Sequence, residues 1–217
     1  IRKSKWNQKK QKTFEKAYDF AAELIESEAK RSNYKRSPLE INTLDFQKFI
    51  ENFPYELTPD QLKCSHSLIN DFSSPKMMDR LICGEVGFGK TEMALRASYI
   101  SYINGFQVCL MVPTTILAEQ HYETYKKRFS EYDVDIVLLT RNLTAQEKKD
   151  VYSKILNQPN LIVIGTHALM NNKLDFNNIG LLIIDEEHKF GVKQKEKIKS
   201  LKAEIDVMYL SATPIPR

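Results

Sequence analysis

The chain has 217 residues, 42% of them apolar, which is enough for one α/β domain with an appendage. No run approaches the roughly 20 apolar residues of a membrane span, and no signal peptide opens the chain, so we expect a cytoplasmic protein without a membrane partner. Three cysteines lack metal-ligand spacing, and the net charge of +4 is compatible with a polyanionic partner without requiring one. The start, Ile1-Arg-Lys-Ser, is not a natural beginning, and we expect a fragment of a longer protein.

The first 52 residues are predicted to form a linker before the main domain. Apolar residues recur at three- and four-residue steps over residues 7–30, with Lys and Glu on the other face, which predicts one long helix. A loop containing Pro38 follows, and then a short helix near residues 44–50. We interpret the apolar stripe of the long helix as a packing face, against the main domain or against a further part of the protein.

From residue 53 onwards, apolar strands alternate with helices. Strands are predicted at 78–83, 107–112, 135–139, 161–165, 181–185 and 207–210, and helices at 58–72, 91–103, 115–129, 144–156 and 193–201. This alternation predicts a mostly parallel sheet with helices on both faces. Cys83 and Cys109 fall in strands that we predict to be buried, as reduced thiols. Ligands of such folds bind at the carboxyl ends of strands, where every candidate residue described below falls.

The most informative motif is Gly84-Glu-Val-Gly-Phe-Gly-Lys-Thr91, between a predicted strand and a predicted helix. Its glycines allow consecutive backbone N–H groups to surround a polyphosphate at a helix N-terminus, which favours anions. Lys90 is expected to reach the β- and γ-phosphates and to act in catalysis, and Thr91 is expected to bind Mg²⁺. The residues expected to bind the nucleotide here are Gly84, Glu85, Gly87, Phe88, Gly89, Lys90 and Thr91.

A second motif is the apolar run Leu181-Leu-Ile-Ile followed by Asp185-Glu186-Glu187-His188. Asp185 follows a buried strand and is predicted to bind the magnesium ion. Glu186 is predicted to be the general base or to orient the attacking water. Adjacent acids favour nucleotide hydrolysis over phosphate transfer to a metabolite, so a small-molecule kinase is the weaker alternative. His188 has two open interpretations, a local hydrogen bond or a role in the site.

The string Thr58-Pro59-Asp60-Gln61 has two interpretations that do not exclude each other. In structural terms, Thr58 is an N-cap and Gln61 closes a capping box. In functional terms, the carboxamide of Gln61 can pair with adenine and select ATP. The nearby rings of Phe53 and Tyr55 either stack on the base or fix the helix to the core.

Several polar residues directly follow predicted strands. Thr114 and Thr115 follow the second strand, Arg141 follows the third, and Thr166 and His167 follow the fourth. Hydroxyls and free N–H groups in such places bind a nucleic-acid backbone without reading its sequence. Helix capping is the commoner role of threonines in such places, and both interpretations stay open at this point.

Taken in order, these motifs resemble the first motor lobe of superfamily 2 helicases. The resemblance rests on Gln61 and on the strings GEVGFGKT, VPTTILAEQH, GTHALM, DEEH and SATPIPR. The strings FPYELTPDQ, MDRLICG, KTEMALR and FGVKQKEK are more closely similar to the bacterial transcription-repair coupling factors. The resemblance covers nearly the whole chain. It implies a RecA-like ATP-binding lobe over residues 53–217, preceded over residues 1–52 by a linker helix and a short helical segment.

The resemblance implies an ATP-driven double-stranded DNA translocase that pushes on a stalled RNA polymerase and recruits excision-repair proteins. It also implies roles for residues named above. Gln61 would read adenine, with Phe53 or Tyr55 against the ring. The residues that would contact the DNA backbone are Thr114, Thr115, Thr166 and His167. His188, Ser211 and Thr213 would couple the nucleotide state to DNA binding. Ser211 and Thr213 would belong to a strand between the loop strand and the acidic strand.

Two other functions stay open. The fork-regressing, branch-migrating DNA helicases share the Thr-His-Ala-Leu and Phe-Gly-Val strings, and Glu85, Phe88 and His188 depart from the usual Asp, Tyr and Gln. A nucleotide-gated interaction scaffold without turnover is the alternative of another class. The family's motor is completed by a second RecA-like lobe with an arginine finger, which these 217 residues lack. We therefore expect the chain alone to bind nucleotide modestly and DNA weakly, and hardly to hydrolyse ATP.

Overall fold

The computed structural model of the chain describes residues 29, 34–41, 43–170, 176, 178–190 and 204–212. The helix predicted at 7–30 (apart from Ala29), the helix predicted at 193–201 and Thr213 lie outside these described residues. Among the helices of the described part, none is long and apolar enough to cross a membrane.

Six strands of the described residues form one parallel sheet in the order β1-β6-β5-β2-β4-β3. The strands are β1 Asp79–Cys83, β2 Gln107–Met111, β3 Ile136–Leu139, β4 Ile162–Gly165, β5 Ile179–Asp185 and β6 Asp206–Ser211. β2, β4 and β6 are buried along their whole length, which explains their largely apolar sequences. The predicted parallel α/β sheet is confirmed, and β6 lies between the loop strand β1 and the acidic strand β5.

The described residues also contain five α-helices and two short 3₁₀ helices. The α-helices are α1 Leu44–Glu51, α2 Pro59–Phe72, α3 Lys90–Ile103, α4 Thr115–Arg128 and α5 Ala145–Asn157. The 3₁₀ helices, His167–Met170 and Glu187–Lys189, were not predicted, because three or four residues are too few to show a periodicity.

Capping boxes begin α2, as predicted, and α5. In each box, the threonine side chain accepts a hydrogen bond from the backbone N–H of the residue three positions later. The side chain of that later residue accepts a hydrogen bond from the backbone N–H of the threonine. The pairs are Thr58 with Gln61 and Thr144 with Glu147. The hydrogen bonds from the side chain and the backbone of Thr144 lower the pKa of Glu147.

The sheet separates two hydrophobic clusters. Along β2, Val108 and Leu110 belong to the cluster formed with α1 to α4, whereas Cys109 and Met111 belong to the cluster formed with α5. This alternation follows from the two-residue period of a strand. Helices therefore cover both faces of the sheet, as predicted.

The described part of the predicted linker packs on the lobe. Phe46 and Phe49 of α1 belong to the same cluster as α3, and the ring centroid of Phe49 lies 4.6 Å from that of Tyr99 and 5.1 Å from that of Phe129. Upstream, the guanidinium of Arg36 donates to the carbonyl of Phe72. Leu39, Ile41 and the inner face of α1 thus share a core with the lobe, and the domain boundary at residues 52/53 stays a prediction.

The prediction that Cys83 is buried was wrong, whereas Cys109 is buried as expected. β1 lies at the edge of the described sheet, and only Ile82 of its five residues is fully buried. A short apolar run does not distinguish an edge strand from a central one. Burial raises the pKa of the Cys109 thiol to about 12.

Candidate functional site

Residues 84–91, hereafter the phosphate loop, connect β1 to α3. Gly87 and Gly89 have φ angles of 87° and 84°, in the left-handed region that glycine adopts without steric cost. The ring of Phe88 lies against Gly84, where an added Cβ would approach it to 2.5 Å. The glycines are therefore needed for the turn itself and for a close packing contact within it.

The side chain of Lys90 lies inside the phosphate loop. Its Nζ donates to the carbonyl oxygens of Gly84 and Glu85, at 2.6 and 2.8 Å. Thr91 follows in the first turn of α3 and is half-buried. The loop thus curls around the ammonium group that is predicted to meet the phosphates.

Gln61 contacts the phosphate loop from α2. Its Nε2 donates to the carbonyl of Phe88 at 2.6 Å, while its Oε1 accepts from the N–H of Thr58 at 2.8 Å. A Cβ at Gly89 would lie only 2.8 Å from that Nε2. The capping interpretation of Gln61 is confirmed, and the same carboxamide also holds the loop. Recognition of adenine by Gln61 stays a prediction.

A cavity of about 750 Å³ opens beside the phosphate loop. This cavity is lined by Thr91 and by the three residues that are predicted to surround the base, Phe53, Tyr55 and Gln61. The guanidinium groups of Arg96 and Arg128 each lie 5.8 Å from the centre of the Phe53 ring. Tyr55, by contrast, is 73% exposed. Phe53 is therefore fixed by its neighbours, and Tyr55 is the ring more accessible to a base.

The backbone of β6 joins the phosphate loop to the acidic motif. The N–H of Gly84 donates to the carbonyl of Ser211 at 3.2 Å, and the N–H of Glu186 donates to the carbonyl of Leu210 at 3.0 Å. Neighbouring strands are about 4.8 Å apart, so the loop and the acids begin roughly 10 Å from each other, on either side of β6. The side chain of Ser211 is buried.

The acidic motif forms a tight turn after β5. Glu186 has φ 55° and ψ 50°, the left-handed conformation that non-glycine residues rarely adopt. Its carboxylate lies 3.2 Å from Nε2 of His188 and 3.7 Å from Nζ of Lys189. His188 therefore makes a local contact with Glu186, and its role in the site and in coupling stays a prediction.

One contact of the site was missed from the sequence. Nε2 of His121, on α4, lies 3.0 Å from Oδ2 of Asp185, and the two side chains are 11% and 13% exposed. An ionised carboxylate only accepts hydrogen bonds, so the imidazole N–H is the donor. Helical spacing from the buried residues Ala118 and Tyr125 places His121 on the inner face of α4. That spacing was the available signal.

The residues predicted to bind Mg²⁺ suit a metal ion shared with a nucleotide. Within the described residues, no cluster of three or more His, Cys, Asp or Glu side chains could hold a metal. Magnesium is commonly bound by one or two carboxylates together with substrate phosphates. Asp185 offers its Oδ1, because Oδ2 accepts from His121, and Thr91 offers its hydroxyl from the first turn of α3. This oxygen donor set fits Mg²⁺.

The candidate DNA-binding residues lie at the same carboxyl edge of the sheet as the phosphate loop. Thr114 caps α4 by accepting from the N–H of Leu117 at 3.3 Å, and its neighbour Thr115 is half-buried. Arg141 and His167 are exposed. Thr166 is only 2% exposed, which contradicts a direct contact of its side chain with DNA in this conformation. The hydroxyl turns inward where β4 enters the 3₁₀ helix.

Comparisons with known proteins agree with this geometry. A family model described as DEAD/DEAH box helicase matches residues 58–217. The transcription-repair-coupling factor of Haemophilus influenzae is 48% identical over 212 residues, which are 98% of this chain and 18% of that protein. Those of Escherichia coli and Bacillus subtilis are 42% and 45% identical, over 98% and 99% of this chain and 18% of each protein.

A solved structure entitled "Structure of RecG bound to three-way DNA junction" superposes with a TM-score of 0.76 at 39% sequence identity. The match covers 91% of this chain and 26% of that one. The RecA-like fold and the resemblance to the transcription-repair-coupling factors are both confirmed. This chain spans 18% of the length of the coupling factors named above. It belongs to the DEAD/DEAH box helicase family.

Proposed function

We propose that this chain is the first ATP-binding motor lobe of an ATP-dependent double-stranded DNA translocase. The whole protein would displace stalled RNA polymerase and couple transcription to nucleotide excision repair. The observation that carries the proposal is the double backbone contact of β6, with Gly84 of the phosphate loop on one side and Glu186 on the other. The identities of 42–48% with transcription-repair-coupling factors support the choice of reaction.

Each group of the site has a role in this proposal. The ammonium of Lys90 exchanges two neutral carbonyls for phosphate oxygens, which are stronger acceptors. Thr91 and Asp185 hold Mg²⁺, which neutralises charge on the transferred phosphoryl group. Glu186 orients the attacking water or takes its proton.

The cavity beside the phosphate loop is the proposed site of the adenine base. Tyr55 would stack on the ring, because it is exposed, and Phe53 would support the pocket wall between two arginines. Gln61 would pair with the adenine edge. Since Gln61 also donates to the carbonyl of Phe88, binding of the base to Gln61 would directly affect the hydrogen bond that holds the phosphate loop.

Double-stranded DNA is the proposed polymer, bound through its backbone without sequence preference. Thr114, Thr115, Arg141 and His167 would provide the contacts along the carboxyl edge of the sheet. RNA polymerase and the excision-repair proteins would bind other parts of the whole protein, which would work in the cytoplasm. By itself, the chain is expected to hydrolyse ATP about 10³- to 10⁵-fold more slowly than the whole motor, because an arginine finger contributes that factor in related hydrolases.

The proposal is tested in the whole protein with Glu186→Gln. This variant should bind ATP like the wild type but lose DNA-stimulated hydrolysis by about 10²- to 10⁴-fold, the usual contribution of a general base. Glu123→Gln is the matched control, because Glu123 is exposed on α4 and should leave hydrolysis unchanged. Normal DNA-stimulated turnover in Glu186→Gln would refute the assigned role.

A branch-migrating fork helicase is the second candidate, favoured by the match to RecG. Release of a stalled elongation complex and remodelling of a synthetic three-way junction should be compared under identical conditions. Release of the polymerase with weak junction remodelling supports the first proposal, and the reverse result supports the second. A protein that binds nucleotide but shows no turnover with either substrate would instead be a nucleotide-gated scaffold.

A further inference from the structure

We propose that His121 is a positioning residue for Asp185, and that α4 thereby connects the DNA-binding edge of the lobe to its metal site. This inference rests on the proposed function, because it assumes that Asp185 binds Mg²⁺ and that DNA lies at the N-terminus of α4. It concerns a residue that no motif of the site includes as a ligand or a base. His121 acts on the reaction only through the carboxylate that it holds.

The first observation is the hydrogen bond itself. Nε2 of His121 donates to Oδ2 of Asp185 at 3.0 Å, and both side chains are nearly buried. Among the described residues, His121 provides the only hydrogen bond to this carboxylate. An aspartate at a strand tip rotates about two side-chain torsions, so one donor on Oδ2 fixes where Oδ1 points. Partners of this kind orient metal-binding carboxylates and raise metal affinity.

The second observation is that α4 also reaches the other side of the metal site. Arg128, two helical turns after His121 and on the same face, has its guanidinium nitrogens 3.4 Å from both oxygens of Glu92. Glu92 is buried and directly follows Thr91. Between these contacts, the hydroxyl of Tyr125 lies 3.2 Å from that of Ser98 on α3. One face of α4 thus contacts Asp185 and the neighbour of Thr91.

The third observation is the position of the N-terminus of α4. Thr114 is exposed at its N-cap, and His121 follows seven residues later, which is about 10 Å along a helix axis at 1.5 Å per residue. A helix is stiff over two turns. A phosphate bound at Thr114 or Thr115 that shifts α4 would therefore shift the donor on Asp185 as well. DNA binding and metal positioning would be linked by one rigid element.

The test measures how Mg²⁺ affects nucleotide binding by the whole protein. A fluorescent ADP analogue is titrated at increasing Mg²⁺ with the wild type, His121→Ala, His121→Gln and the control Glu123→Ala, an exposed position on the same helix. His121→Ala should need about 10- to 100-fold more Mg²⁺ for half-maximal enhancement of binding, as for other residues that orient metal ligands. Binding without Mg²⁺ should be unchanged, and Glu123→Ala should match the wild type.

Rescue separates positioning from packing. His121→Gln keeps an amide N–H near the place of Nε2, so it should recover most of the Mg²⁺ response, whereas the shorter His121→Asn should not. This pair decides the matter even if His121→Ala folds poorly. At saturating Mg²⁺, the kcat stimulated by DNA should be lower in His121→Asn than in His121→Gln, with an unchanged KM for ATP.

Two outcomes would overturn the inference. If folded His121→Ala or His121→Asn has the wild-type Mg²⁺ midpoint, His121 does not position Asp185, while DNA-stimulated hydrolysis by the wild type would leave the proposed function intact. If the wild type itself binds nucleotide without any response to Mg²⁺, the proposed function fails and the inference fails with it.

Discussion

Replacement of Phe49 by alanine tests whether the segment before the lobe contributes to its stability. Phe49 lies on α1, within the residues predicted as a linker, and its side chain is 0% exposed. Its ring centroid is 5.3 Å from that of Tyr132, and the Cζ atom of Arg128 lies 3.8 Å from the same centroid. With Tyr99 and Phe129, these side chains form one aromatic cluster that joins α1 to the lobe.

The expected loss follows from this burial. Replacement of a buried phenylalanine by alanine typically lowers the free energy of unfolding by about 3–5 kcal/mol, through lost transfer energy and the cavity left behind. For a protein of 150–250 residues, 1 kcal/mol corresponds to about 2–4 °C in Tm, so a loss of about 4 kcal/mol predicts a decrease of roughly 8–16 °C. Such a change is a large part of the stability of an ordinary domain.

The assay is thermal and urea unfolding of the 217-residue chain, followed by circular dichroism. Leu44→Ala is the matched control, because Leu44 lies on the same helix but is 73% exposed. It should change the free energy of unfolding by no more than about 0.5 kcal/mol. If Phe49→Ala resembled Leu44→Ala, the segment would only lie on the lobe, and the conclusion that both share one core would be wrong.

Two further predictions each compare two positions of the chain. Gly89→Ala and Gly105→Ala should each lower stability by about 1–2 kcal/mol, because both glycines have left-handed φ angles. Only Gly89→Ala should also weaken binding of a fluorescent nucleotide, since its Cβ would meet Gln61; equal binding defects would contradict this explanation. At pH 8, a thiol reagent should modify exposed Cys83 in the native protein but Cys109 only after unfolding, because burial raises the pKa of Cys109 to about 12. The labelled cysteines would be identified by mass spectrometry of the digested protein, and labelling of Cys109 before unfolding would contradict this prediction.

The fold was largely predictable because its central strands are buried on both faces. Such strands appear as continuous apolar runs, and the predicted limits of β2, at 107–112, differ from the observed Gln107–Met111 by one residue. The capping boxes gave equally sharp helix starts, because a threonine followed three residues later by Gln or Glu makes reciprocal bonds. What the sequence did not contain was the lateral position of β1, so the exposure of Cys83 was not predicted.

The candidate site was predictable where adjacent residues build it and less so where distant elements meet. The phosphate loop and the pair Asp185-Glu186 are contiguous strings with a stated chemistry. The contact of His121 with Asp185 depends on α4 following β2, the direct neighbour of β5, and strand order is not written in any one segment. Thr166 illustrates the same limit, since its inward orientation depends on a short 3₁₀ helix without periodicity.

The turn that carries Glu186 is held by β6, the strand that also holds the start of the phosphate loop. A left-handed conformation at a non-glycine residue costs about 1–3 kcal/mol and persists only where the surroundings hold it. Here the holding contacts are the bond from the Glu186 N–H to the carbonyl of Leu210 and the buried ring of Phe190 at the end of the turn. The carboxylate meanwhile faces His188 and Lys189, so the proposed activation of water by Glu186 would require the turn to move it away from these two side chains. Because the next carbonyl of β6, that of Ser211, holds the start of the phosphate loop, a small displacement of this strand end would move both halves of the candidate site together.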